Sequence, residues 1–128
     1  MGCGLAQLCA QNGFLVKVFD SVPEALERAP KRIEEALSHA VGKGKLSQPE
    51  ADAALKSLVF VKSLEELRDA GLIIEAASED LRLKQRIFKE LGGLSSEAVL
   101  ATNTSSLPVW SLAQVTAHPQ RVVGMHFF

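Results

Sequence analysis

Apolar positions recur along this chain in two alternating rhythms, one of period two and one of three to four residues. In GFLVKVFD, Gly13 to Asp20, apolar residues flank Lys17 and Val and Phe dominate, which predicts a short strand ending in an acid. From Ser21 the rhythm lengthens. Ala25, Leu26, Ala29, Ile33, Ala36, Leu37 and Ala40 recur at helical spacings, predicting an amphipathic helix to about Ala40. Ser21 and Glu24 form S-x-x-E around Pro23, the pattern of a capping box in which serine and glutamate satisfy orphan amides at a helix start. Glycines in VGKGKLS, Val41 to Ser47, break that helix. The same cap at Ser47 and Glu50 launches a shorter one, so the pair forms a helical hairpin.

LVFV, Leu58 to Val61, predicts a brief strand, and a third cap at Ser63 and Glu66 predicts a helix leading to GLIIEA, Gly71 to Ala76. That run is continuous in apolar character, as in strands buried on both faces of a parallel sheet. SEDLRLKQRIFKEL, Ser78 to Leu91, predicts a helix with Leu81, Ile87, Phe88 and Leu91 facing inward. AVLATN and RVVGMHFF supply two further strands, with a helix from about Pro108 to Thr116 between them. Strand and helix alternate throughout, so the expected fold class is α/β, a doubly wound parallel sheet with helices on both faces and a helical-hairpin insertion. Trp110 and the phenylalanines are read as core. No repeat, low-complexity segment or linker interrupts the pattern.

Composition changes this picture little. With 128 residues and 47% hydrophobic content, one domain with a sizeable core is expected. Lys and Arg total 14 against 15 Asp and Glu, which argues against an electrostatic grip on nucleic acid or an anionic membrane and towards a small partner. Cys3 and Cys9 match neither a metal-knuckle spacing nor a disulfide framework, so they read as small packing residues in a reducing, cytoplasmic protein. No apolar run approaches the roughly 18 residues needed to cross a bilayer, and no basic segment precedes an apolar one at the start. His39 and His118 lack any motif, and no metal site is expected.

The glycines of MGCGLAQ need a separate explanation, because they stand at the start of a helical pattern with no strand before it. In doubly wound dinucleotide-binding folds the first strand ends in G-x-G-x-x-G, and an acid follows about 20 residues later, at the end of the second strand, to bind the ribose hydroxyls. Counting back from Asp20 places the last fingerprint glycine near Gly2. MGCG then reads as the tail of a fingerprint whose first strand and first two glycines are expected outside this chain. Asp20 favours NAD over NADP, because a carboxylate repels a 2′-phosphate. A strand-ending Asp before a helix is equally a common cap.

MGCGLAQ, EAASEDLRLKQRIF, LATNTSSL and RVVGMHFF, in this order and at these separations, resemble the NAD-binding domain of the 3-hydroxyacyl-CoA dehydrogenases, which include the 3-hydroxybutyryl-CoA dehydrogenases. The resemblance covers essentially all of residues 1–128. It implies that His126 is the catalytic histidine, taking the substrate hydroxyl proton as hydride leaves for the nicotinamide; an imidazole suits that exchange near neutral pH. A lone strand-end imidazole bound by a backbone carbonyl is the competing reading. Ser105 matches a serine that hydrogen-bonds substrate and cofactor near the reacting carbon, and its hydroxyl can hold alcohol and ketone alike. Either Ser105 or Ser106 equally suits a helix cap, with Asn103 and Thr104 shaping the turn. Glu79 and Lys84 match cofactor-contacting positions, the acid for ribose hydroxyls and the lysine for positive charge. Both also fit exposed first-turn residues of a helix. Lys43 matches a substrate-contacting lysine suited to a CoA phosphate, or is a solvated loop residue.

The resemblance further implies an asparagine and an orienting glutamate beyond Phe128, and a helical C-terminal domain that closes the acyl-CoA site and carries a homodimer contact. On that reading the parent protein is the enzyme and residues 1–128 alone are inactive. Two other readings share the cofactor turn: a dehydrogenase of free hydroxy acids, and a non-catalytic, crystallin-like relative that keeps NAD binding.

Overall fold

The computed structural model describes residues 1–128, which divide into two compact units, Met1–Ser63 and Leu64–Phe128. The first unit contains α1 (Gly2–Gln11), β1 (Val16–Val18), α2 (Pro23–Gly42), α3 (Gln48–Lys56) and β2 (Leu58–Phe60). A turn at Gly13, with φ of 83°, reverses the chain between α1 and β1 in a left-handed conformation that glycine adopts freely. β1 and β2 pair in parallel, Val16 opposite Leu58 and Val18 opposite Phe60. The helices pack through small and branched residues spaced along one face of each. Ala6 and Ala10 of α1, Ile33 and Leu37 of α2, and Ala51 and Ala54 of α3 form one buried cluster.

The hairpin joining α2 to α3 is closed by two local devices. Gly44, with φ of 66°, follows the α2 C-cap Lys43, and the amides of Gly44 and Lys45 donate to the carbonyls of Val41 and Ala40. That pairing is a Schellman motif, and it requires a left-handed residue at the glycine. Ser47 then opens α3 with both halves of the expected capping box in place. The box expected at Ser21 is absent. Val22 is the N-cap of α2, with no side-chain cap, and the Asp20 carboxylate accepts from the Val22 amide at 2.9 Å instead. An acid just upstream can bond that amide within a two-residue turn, so it displaces the serine.

The second unit holds β3 (Leu72–Glu75), α4 (Leu81–Leu94), β4 (Val99–Thr102), α5 (Val109–Ala113) and β5 (Val122–Gly124). Its three strands are parallel in the order β3-β4-β5, with Glu75 opposite Thr102 and Thr102 opposite Gly124. Phe88 and Leu91 of α4, Leu100 and Ala101 of β4, and Leu112 and Ala113 of α5 are buried. Where a helix was expected after Ser63, only a 3-10 turn forms, Leu64–Leu67.

The architecture is thus α/β with parallel strands throughout, as expected, although the strands form two sheets and not one. Strand segments are also shorter than their apolar runs. Leu72 is exposed at the head of β3, whereas Glu75 is buried at its foot. Trp110 is 68% exposed and Phe14 64%, against 0% for Phe88, so the expectation that tryptophan and all the phenylalanines form the core is corrected. Trp110 stands on the outer face of the five-residue α5, whose Leu112 and Ala113 face inward. No helix is long and apolar enough to cross a membrane.

Candidate active site

Several of the residues singled out in the sequence stand at or just beyond strand carboxyl ends in each unit. In the first, α1 packs on β1 after a tight reversal, so the start of α1 and the end of β1 lie at one end. Gly2 is the first residue of α1, no side chain caps that terminus, and a Cβ built at Gly2 meets nothing within 4 Å. The backbone amides of a first helical turn are donors of the kind that suits a diphosphate. Asp20 lies exposed just beyond β1 and engages one carboxylate oxygen with the Val22 amide. It borders a groove of about 450 Å³ lined also by Phe19, Ser21, Pro23, Leu26, Glu27 and Lys62. The apolar part of that lining, beside the Asp20 carboxylate, suits an adenosine whose ribose the acid can hold. These residues fit the adenosine diphosphate half of NAD. Lys43 sits exposed at the tip of the hairpin and does not line that groove.

In the second unit the ends of β3, β4 and β5 are bound into one network. Asn103 follows β4, takes a backbone bond from its amide to the Glu75 carbonyl at 2.9 Å, and accepts from the Phe127 amide at 2.7 Å through its side chain. The loop carrying Ser105 and the segment carrying His126 are therefore tied together beside adjacent parallel strands. His126 is exposed, and its ring lies tilted against Phe128 at a centroid distance of 5.9 Å. Ser105 is exposed too. α5 begins at the N-cap Pro108 without a side-chain cap, so neither Ser105 nor Ser106 caps it.

Glu79 organises the turn on which Ser105 stands. Its Oε1 accepts from the Thr104 hydroxyl, from the amides of Ser105 at 3.2 Å and Ser106 at 3.3 Å, and from the Ser106 hydroxyl at 3.1 Å. The Thr104 hydroxyl accepts in turn from the Leu107 amide at 3.0 Å, which shapes the turn as expected of Thr104. The Thr104 hydrogen bond, with smaller contributions from Ser106 and the charge of Lys84, holds the Glu79 carboxyl down to about 2, against partial desolvation. Glu79 is therefore an anion throughout the neutral range.

Of the two sequence readings of Lys84, that of an exposed first-turn residue is corrected: its side chain is only 1% exposed. Its Nζ donates to Glu75 Oε1 at 2.7 Å and to the Ala77 carbonyl at 3.0 Å, and lies 3.6 Å from Glu79 Oε2. Glu75 is equally buried. Its carboxylate accepts from the Thr102 hydroxyl at 2.8 Å and from the Ala77 amide at 2.6 Å. Sequence reasoning missed Glu75 and Thr102, which lay inside runs read only as apolar strand. A signal was present: Lys84 falls on the inward stripe of α4 with Leu81, Phe88 and Leu91, a position that needs a buried anion.

Over residues 1–128 the chain matches the family described as 3-hydroxyacyl-CoA dehydrogenase, NAD binding domain. It is 41% identical over 128 residues to a probable 3-hydroxybutyryl-CoA dehydrogenase of Bacillus subtilis, covering 99% of this chain and 45% of that protein. Among solved structures it resembles M. tuberculosis FadB2 with a TM-score of 0.96 at 42% identity, covering 100% of this chain and 46% of the other. A 3-hydroxybutyryl-CoA dehydrogenase from Escherichia coli K12 gives a TM-score of 0.95 at 39% identity, covering 100% of this chain and 27% of that one. The chain thus spans about half the length, or less, of these relatives.

Proposed function

We propose that this chain, which belongs to the 3-hydroxyacyl-CoA dehydrogenase NAD-binding domain family, forms the cofactor-binding part of an oxidoreductase acting between C3 of a 3-hydroxyacyl-CoA and NAD. The observation that carries the proposal is the tie of Asn103 to Phe127, which joins the Ser105 turn to the His126 segment at the carboxyl ends of β4 and β5. Open α/β sheets place their ligands at that edge.

NAD, held by residues such as Asp20 and Glu79, would supply the acceptor for a hydride from C3 of the alcohol. His126 accepts the hydroxyl proton on an imidazole nitrogen, and in the reverse direction returns it to the ketone. Ser105 holds the C3 oxygen by donating to it as a ketone or accepting from it as an alcohol. Glu79 retains Oε2 for ribose hydroxyls, since its other oxygen is engaged by the turn. Gly2 and Asp20 take the adenosine diphosphate half, and Lys43 pairs with a CoA phosphate.

The activity belongs to a longer protein, as the partial coverage of the relatives supports, in which a helical C-terminal domain makes a homodimer contact. Cys3 and Cys9 are free thiols, in keeping with a cytoplasmic enzyme of fatty acid β-oxidation or butyrate-type metabolism. The test compares substrates on the full-length protein. NADH oxidation should proceed with acetoacetyl-CoA and be absent with free acetoacetate at the same concentration. Equal turnover of the free acid would favour a free hydroxy acid dehydrogenase, and binding of NADH without turnover of either would favour a non-catalytic relative.

A further inference from the structure

β4 and β5 stop pairing before His126 is reached. Thr102 stands opposite Gly124, the last residue of β5, and the Met125 amide donates to the Thr102 carbonyl at 2.9 Å. Bonds along a parallel ladder are evenly spaced and follow the two-residue pleat, so the next rung would run from the Phe127 amide to the Thr104 carbonyl. Thr104 is instead drawn into the turn. Its amide meets the Thr102 hydroxyl at 3.3 Å, and its own hydroxyl donates to Glu79. The Phe127 amide donates to Asn103 Oδ1, at 2.7 Å. A backbone amide can only donate, so the atom of Asn103 that faces it is the side-chain oxygen and not the nitrogen. Asn103 is itself anchored, its own amide bonded to the Glu75 carbonyl at the end of β3 at 2.9 Å. One side chain thus supplies the rung that the turning backbone of β4 does not.

His126 lies between the two bonded amides, those of Met125 and Phe127. Burial alternates there as along a strand: Met125 and Phe127 are half-buried and His126 is exposed. Just upstream, a Cβ at Gly124 would stand 3.1 Å from Val109 Cγ2, so α5 packs directly on this strand. We propose that Asn103 is a positioning residue: through Oδ1 it holds the Phe127 amide and so sets the direction in which the His126 imidazole leaves the chain. That His126 exchanges the substrate proton rests on the function proposed above, whereas the tie from Asn103 to Phe127 does not.

The experiment uses the full-length protein with Asn103→Ala, which removes the accepting oxygen, and Asn103→Asp, which keeps one. In Asn103→Ala, kcat for acetoacetyl-CoA reduction at saturating NADH should fall by about 10- to 100-fold, the scale of a reacting group misplaced by about 1 Å, with KM and the NADH dissociation constant retained. Asn103→Asp should keep kcat near the wild-type value. Amide exchange reads the tie independently of turnover. Phe127 should exchange faster in Asn103→Ala than in the wild type or Asn103→Asp, while Met125, bonded to the Thr102 carbonyl, keeps its protection. If Asn103→Ala does not fold, Asn103→Asp still decides, since loss of kcat or of Phe127 protection there overturns the proposal. Wild-type kcat in folded Asn103→Ala would overturn it outright. An equal fall in kcat in both variants would overturn it in favour of a role for the side-chain nitrogen, and a raised NADH dissociation constant with kcat preserved in favour of a hold on the cofactor. Wild-type protein that oxidises no NADH with acetoacetyl-CoA would sink the dehydrogenase reading alone, and exchange at Phe127 would still decide whether Asn103 holds that segment.

Discussion

Glu79 concentrates more of this chain's polar chemistry than any other side chain, and its protonation state has a measurable signature. Its folded pKa of about 2 lies below the ordinary 4.5, so the stabilisation it provides is complete above about pH 4.5 and is lost as the pH falls towards 2. Thermal midpoints of the wild type should therefore drop more steeply than those of Glu79→Gln between pH 4.5 and 2, the two curves converging at the acid end. Parallel curves would show that the carboxylate does not hold the Thr104–Ser106 turn. At this scale the sequence revealed residue types but few partners. The strand-end placement of His126 and Ser105 was legible from the alternation of strand and helix. The partner of Lys84 was not, because which carboxylate it reaches depends on how residues 76–80 fold back between β3 and α4.

At the scale of elements, local competition decides what a short motif does. Ser47–Glu50 and Ser21–Glu24 are the same pattern, yet only the first forms a capping box. Ser47 bonds the Glu50 carboxylate through its amide at 2.8 Å and its hydroxyl at 2.6 Å, which lowers the Glu50 pKa. Ser47→Ala should destabilise the protein by about 1 kcal/mol. Ser21→Ala should change stability by less than about 0.5 kcal/mol, since Asp20 already serves the start of α2. Equal losses in urea denaturation would contradict this assignment. Helix periodicity was legible along α2 and α4, because buried positions recur on one face; α2 runs unbroken past Pro30. Exposed Trp110 was misread because residue type was taken as burial on an element only five residues long, where one turn puts neighbours on opposite faces.

For the whole molecule, alternation of strand and helix was enough to anticipate parallel pairing, since parallel strands need crossover connections and the helices supply them. The strand order was not read from the sequence, because periodicity says which segments are strands and not which strands are neighbours. The proposed chemistry rests finally on the segment after β5. In the full-length protein, His126→Gln keeps a hydrogen-bonding side chain of similar size but removes the proton acceptor. The decisive measurement is kcat for acetoacetyl-CoA reduction, taken alongside the NADH dissociation constant. A fall in kcat of about 100-fold or more with NADH affinity retained is the expected result, in the range of a lost general acid-base group. Wild-type turnover by the variant would contradict the assignment of His126 and, with it, the proposed reaction at this site.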